Sequence, residues 1–255
     1  MTNSDRESRA VLEEKTDVAI FHVTSVGEVP GTKKVRLLPK EFLRGAGAAR
    51  TRDVEAGLRL PRSVYFYAGH AGPFGNVAVA FEPELAFQKP GSATPFDTGG
   101  VFYEYINLPK GDRREYVSSL IVRDLRQFWK AFDEYVRCHF DDACAYCLGE
   151  KPQPCEGGQG HGDFCSGSSC RHAARFADNA DRRAWTWEIQ MHGDVLVHTS
   201  LRAIYMDQPT VEALSQAYEK LPDREWWLAT LKKKVQRVSF PVPRNAEIAE
   251  APCLT

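Results

Sequence analysis

The sequence predicts an α+β fold, and three observations carry that expectation. Short runs rich in β-branched and aromatic residues recur between turn signals, as in Ile20–Thr24, Val64–Tyr67 and Trp185–Ile189. From Asp112 to about Arg137, apolar residues repeat at three- and four-residue steps, which marks one face of a helix. Further helical patterns lie between and after the strand-like runs, as separate layers require.

Taken in order, residues 1–16 read as a fraying lead, and Asp17 to Val26 as a strand closed by Gly27 and Pro30. Lys40 to Leu60 is expected to hold one or two short helices, broken by Gly45, Gly47 and Gly57. Ser63–Ala68 and Asn76–Phe81 are predicted strands, joined by the turn-rich stretch from Gly69 to Gly75. Lys89 to Gly100, with Pro90, Gly91, Pro95, Gly99 and Gly100, is expected to be a loop shaped over a cleft. The helix from Asp112 presents Val117, Leu120, Ile121, Leu125, Phe128, Trp129, Phe132 and Val136 to the core, with Asp112 and Glu115 forming its N-cap. Trp185–Val197 and Leu201–Met206 are predicted strands, and a short helix runs from Pro209 to about Leu221. A last helix is expected from Asp223, with Trp227, Leu231 and Val235 on one face. One domain over residues 17–240 follows, with residues 138–172 as a Cys-rich insertion within it.

A 255-residue chain with 43% hydrophobic and 26% charged residues has the composition of an ordinary globular protein. No apolar run approaches the ~20 residues of a membrane-spanning helix, and the polar N-terminus lacks a signal-peptide apolar stretch. The expected location is the cytoplasm, away from membranes, where stable disulfides are rare. The net charge of -1 is unevenly laid out: residues 32–62 carry about +6 by count and the remainder about -7. Such a basic stretch suits a solvated charged surface, a dinucleotide pyrophosphate or a nucleic-acid backbone.

Three strand-borne polar residues are the candidate chemistry: His22, Tyr67 and Glu188. Acyl transfer wants an activated nucleophile and an oxyanion hole, which these residues do not offer. Cleavage of an N-glycosidic bond makes an oxocarbenium-like centre that a carboxylate stabilises. A tyrosine ring stacks on a heteroaromatic leaving group, and a histidine orients a ribose hydroxyl. Each residue also has a plain structural reading, His22 as a satisfied core histidine, Tyr65 or Tyr67 as strand packing, and Glu188 on a solvent face. Asp97-Thr98-Gly99 spells an aspartic-protease triplet without the apolar strand that should precede it, and His70 is either cleft-lining or a turn cap.

The same segments resemble the ADP-ribosyltransferase superfamily, and most closely the DarT-type DNA-targeting toxins. His22-Val23-Thr24 is similar to that group's His-x-Thr motif, and Val64-Tyr65-Phe66-Tyr67-Ala68 to its Val-Pro-Phe-Tyr-Phe strand. Glu188-Ile189-Gln190-Met191, followed by Leu201–Met206, resembles its Glu-x-Leu-Val strand and the short apolar strand after it. The resemblance implies a split β-sheet core and an enzyme that cleaves nicotinamide from NAD and transfers ADP-ribose to a nucleic-acid or protein acceptor. It implies Glu188 as the catalytic residue, and His22, Thr24 and Tyr67 as NAD-binding. A basic side chain holds the pyrophosphate, with Arg44, Arg50 and Arg52 all eligible. A toxin or phage-defence role is the setting it implies.

Six of the seven cysteines fall between Cys138 and Cys170. Cys144-Ala145-Tyr146-Cys147 has the spacing of half a zinc knuckle, and Cys155, Cys165, Cys170 and His172 offer second halves. A structural zinc on Cys144 and Cys147 plus two more ligands, Cys165 and Cys170 among them, would staple a segment too poor in apolar residues for its own core. Free thiols in a loop are the plain alternative. The competing function is a zinc-stapled nucleic-acid-binding protein without catalysis.

Overall fold

A computed structural model describes residues 20–24, 27–28, 35–36, 61–69, 77–87, 90–100, 110–140, 143–147, 149–153, 182–193, 201–222, 224–225, 228–229 and 235–237. The strands are β1 (Ile20–Thr24), β2 (Gly27–Glu28), β3 (Val35–Arg36), β4 (Ser63–Ala68), β5 (Val77–Phe81), β6 (Gly91–Thr94), β7 (Glu188–His192), β8 (Leu201–Met206) and β9 (Val235–Arg237). The longer α-helices are α1 (Lys110–Leu120), α2 (Leu125–His139), α3 (Ala143–Cys147) and α4 (Gln208–Tyr218), and Thr98–Gly100 makes a single helical turn. Seven strands form one sheet in the order β6-β7-β4-β1-β5-β8-β9, while β2 and β3 make a separate pair. Six strands of the sheet run antiparallel to their neighbours, and β9 joins β8 in parallel. The architecture is α+β. No described helix is long and apolar enough to cross a membrane.

Alternation along each strand sorts the sheet into two faces. Ile20, Val64, Phe66, Val79, Ile189, Met191 and Ile204 share the core face and are all buried. Against it lies α2, whose buried stripe is Leu125, Phe128, Trp129, Phe132, Tyr135, Val136 and His139. Phe132 packs edge-on to Tyr146, with ring centroids 5.0 Å apart, and Phe128 edge-on to Trp187 at 5.6 Å. Truncating a buried ring such as Phe132 costs about 3–5 kcal/mol. The approach of α2 to the sheet is close enough to dictate Gly91: a Cβ there would stand 2.4 Å from Leu125 Cδ1 and 2.5 Å from the Gln190 carbonyl.

Several expectations need correction. The single helix from Asp112 to Arg137 is two helices, because Val122 leaves the helical path to exchange both backbone bonds with Ala93 at 2.8 Å. Asp124 then caps α2, accepting from the Arg126 N–H at 2.9 Å. The first helix starts at Lys110, so Asp112 lies within it rather than capping it. The expected loop from Lys89 to Gly100 contains β6, an edge strand of small residues paired along β7. Trp185, Thr186 and Trp187 are not strand: a 3-10 turn at Arg182–Ala184 holds them, with the Trp185 and Thr186 N–H groups both reaching Arg182 O. Residues 224–225 and 228–229 are helical, as expected of a last helix from Asp223, but Val235 belongs to β9.

The Cys-rich stretch also begins differently from the expectation. Cys138 and His139 close α2, and Phe140, Ala145 and Tyr146 are part of the main core. Burial of this first part is therefore continuous with the domain. The predicted helices within 40–60 and the lead at 1–16 lie outside the described residues.

Candidate active site

The opposite face of the sheet is polar over three strands. β7 presents Glu188 and Gln190 to it, β4 presents Tyr65 and Tyr67, and β6 presents Ser92 and Thr94. Register sets their neighbours: Tyr67 stands directly across from Glu188, and Thr94 across from Glu188 on the other side. Tyr65 and Ser92 flank Gln190 in the same way. Glu188 is thus the centre of a cross-strand row, with side chains at the close spacing that lets opposite pairs interact.

The turn after β6 completes the site. Thr94 folds back to donate from its hydroxyl to Phe96 O at 2.8 Å, which brings Asp97 and Thr98 over the row. The Thr98 hydroxyl donates to Glu188 Oε1 at 2.6 Å, and the Tyr67 hydroxyl donates to Asp97 Oδ2 at 2.5 Å. The Gln190 amide Nε2 donates to Glu188 Oε1 at 2.8 Å and to Thr98 Oγ1 at 3.3 Å. Behind it, the Ser92 hydroxyl donates to Gln190 Oε1 at 2.9 Å. Asp97 is anchored through its own N–H to Arg183 O at 2.9 Å.

Glu188, Gln190, Thr94 and Thr98 are fully buried, and Tyr67 retains 7% exposure. Removing a carboxylate from water is costly unless hydrogen bonds replace the lost hydration, and the two charge-directed donors on Oε1 serve that need. What results is a fixed acceptor group beside a fixed aromatic ring. This is suited to stabilising a developing positive charge, not to nucleophilic attack.

His22 takes a different place. It follows Phe21, which pairs with Tyr67, so alternation turns it away from Tyr67 and Glu188 toward the core face. Its ring meets Phe66 edge-on at 5.7 Å, and Nδ1 lies 2.8 Å from Tyr65 O. A carbonyl only accepts, so Nδ1 carries the proton in this bond. The position is a seam in the sheet. β1 pairs with β5 from Ile20 to Thr24 and β4 with β7 from Ser63 to Tyr67, yet the described pairing of β1 with β4 is confined to Ile20↔Ala68 and Phe21↔Tyr67. His22 and Tyr65 are both half-buried, with side chains on opposite faces of the sheet.

Of the other candidates, Thr24 ends β1 across from Val77. Arg44, Arg50 and Arg52, together with His70, Cys155, Cys165, Cys170 and His172, lie outside the described residues. Cys144 and Cys147 share the single turn of α3. Among the described residues no group of three metal-ligating side chains occurs. Cys147 is half-buried, and its Sγ would lie 3.1 Å from a Cβ at Gly69, just past β4.

Sequence reasoning did not find the roles of Ser92, Thr98 and Gln190. Polar residues alternating along β7 and β6 were the available signal. Nor did it find Tyr146, whose hydroxyl accepts from the Trp187 N–H at 3.0 Å and donates to Ala68 O at 3.1 Å. Those two residues adjoin Glu188 and Tyr67, so the phenol is built into the next rung of the same ladder. No protein-family model, no curated protein and no solved structure matches this chain.

Proposed function

We propose that the protein is an NAD-dependent ADP-ribosyltransferase whose acceptor is a nucleic-acid base or a protein side chain. The observation that carries the reading is the direct cross-strand pairing of Tyr67 with Glu188 on a buried polar face, with Glu188 held as an acceptor by Thr98 and Gln190. The resemblance of the Tyr67 and Glu188 segments to the superfamily supports it as well, while the third residue of that resemblance, His22, faces the other side of the sheet.

In this reading the bond between C1′ of the nicotinamide ribose and the ring nitrogen breaks, and its electron pair neutralises the pyridinium. Glu188 stabilises the positive charge left on the sugar and orients the incoming acceptor. The acceptor's oxygen or nitrogen forms the new bond to C1′ and gives up its proton to water. Tyr67 has committed its hydroxyl to Asp97, so it offers the nicotinamide its ring face. His22, expected to bind NAD, faces the other side of the sheet and is bonded to Tyr65 O, so it takes no part in this contact. Arg50 or Arg52 holds the pyrophosphate.

A structural zinc belongs to the same proposal. Cys144 and Cys147 stand three apart in one helical turn, the spacing of a ligand pair, with Cys165 and Cys170 as further ligands. It staples the segment after α3 and takes no part in transfer. Metal analysis of the purified chain tests this: about one zinc per chain, lost in Cys144→Ser, is expected, and a metal-free folded protein contradicts it.

The transferase reading is tested with purified protein, labelled NAD and candidate acceptors. Nicotinamide is expected to appear with ADP-ribose on the acceptor, and Glu188→Gln and Glu188→Ala to abolish both while the fold is retained. Salt-sensitive nucleic-acid binding with no NAD turnover, unchanged by these substitutions, favours the non-enzymatic alternative.

A further inference from the structure

We infer that the turn from Asp97 to Gly100 is a gate over Glu188, which opens to admit the dinucleotide and closes over it. The inference rests on the transferase reading and adds a movement which that reading needs. Glu188 is fully buried, so a substrate reaches its carboxylate only after a neighbouring group has moved. The neighbours differ in what holds them. Tyr67 and Thr94 stand across from Glu188 in two ladders, β4 with β7 and β6 with β7, and Gln190 is part of β7 itself. Shifting any of these three breaks sheet hydrogen bonds. Thr98 instead reaches Glu188 from outside the sheet, at the head of the single helical turn Thr98–Gly100.

The chain is pinned up to the start of this turn. Phe96 is fully buried in the core, and its carbonyl accepts from the Thr94 hydroxyl at 2.8 Å. Beyond Phe96 the ties run to the site itself. The Tyr67 hydroxyl donates to Asp97 Oδ2 at 2.5 Å, the Thr98 hydroxyl to Glu188 Oε1 at 2.6 Å, and the Asp97 N–H to Arg183 O at 2.9 Å. Two of these three are side-chain bonds that water can replace. Releasing them cuts no rung of the ladders around Glu188.

The test is amide hydrogen exchange, resolved by residue, on the full chain without ligand. The Asp97 N–H is bonded to Arg183 O and the Ala68 N–H to Trp187 O, at 2.9 and 3.0 Å, and both residues are buried. A turn held as firmly as the sheet would protect both alike. A gate lets Asp97 exchange through a local opening, at least about 100-fold faster than Ala68 after correction for intrinsic rates, and at a rate that sub-denaturing urea leaves unchanged. Thr98→Val removes a bond to the carboxylate and is expected to speed Asp97 exchange by about 10-fold more, while Ala68 follows only the change in global stability. Asp97 exchange as slow as that of Ala68, or accelerated by urea in parallel with it, overturns the inference. Nicotinamide release by the same wild-type sample tests the transferase reading separately. No release from a folded protein whose turn opens locally refutes that reading and leaves the movement standing, whereas release from a protein whose Asp97 exchanges only on global unfolding refutes the gate alone.

Discussion

Replacing Tyr146 by Phe tests the link between α3 and the two strands that carry Tyr67 and Glu188. Tyr146 is completely buried, and burial pushes its phenol well above the usual tyrosine range, so it stays a neutral donor. Its oxygen stands between the Trp187 N–H and the Ala68 carbonyl, at 3.0 and 3.1 Å. Tyr146→Phe deletes one atom and orphans two backbone groups at once. Each buried group left unpaired costs about 1–3 kcal/mol, and the retained bond from Ala68 N–H to Trp187 O, 3.0 Å long, limits how far the strands can re-pair. The expected loss is about 2–4 kcal/mol. Tyr135→Phe is the internal control, because the Tyr135 hydroxyl donates to the Trp185 carbonyl at 3.0 Å. Its cost should be near 1 kcal/mol. Urea unfolding followed by tryptophan fluorescence gives both values, with the slope unchanged if only native contacts are lost. A Tyr146→Phe protein no less stable than Tyr135→Phe would refute the bridging role.

Further outcomes follow from the backbone and from burial. Gly69 and Gly193 both have positive φ, at 76° and 75°, but a Cβ at Gly69 would stand 2.7 Å from the Tyr146 ring while one at Gly193 has nothing within 4 Å. Gly193→Ala is expected to cost about 1–2 kcal/mol from backbone strain alone, and Gly69→Ala a further 1–3 kcal/mol from overpacking; equal unfolding midpoints would contradict this. His139 has its pKa lowered by burial, against a smaller opposing effect of its bond to Gln153 O, and His192 is lowered by burial too. The native state therefore binds fewer protons at these sites than the unfolded chain. Their contribution to stability is full above the unfolded value of about 6.5 and is lost as pH falls through the lowered native values. Unfolding free energy should decline from pH 7 to pH 5, and His139→Gln should flatten part of that decline. An unchanged pH profile in that variant would count against the assignment.

What was legible in the sequence followed from local periodicity. β4 and β8 lie where alternation and aromatic content placed them, and the α2 stripe is the one expected from three- and four-residue steps. β6 was not legible because Gly91-Ser92-Ala93-Thr94 has little β-branched or aromatic content; it is a strand through its pairing along β7, where a glycine is needed beside Leu125. The break between α1 and α2 was hidden for a related reason, since Ile121 and Val122 continue the apolar spacing while Val122 is drawn into a bridge with Ala93. At the site, strand position sufficed to nominate Tyr67 and Glu188, but register was needed to make them partners. Parity was needed to turn His22 the other way. Asp97 and Thr98 stood out only as a protease-like triplet. Their contacts with Tyr67 and Glu188 arise from a fold-back of the chain that no local pattern encodes.

In the proposed reaction Glu188, fixed beside Tyr67, drives scission of the nicotinamide–ribose bond. The direct measurement is nicotinamide released from NAD by folded wild-type protein and by Glu188→Gln, which keeps the size of the side chain and removes its charge. Steady release by wild type, with a fall of at least about 100-fold in the variant, is predicted. Equal rates in the two proteins would contradict it.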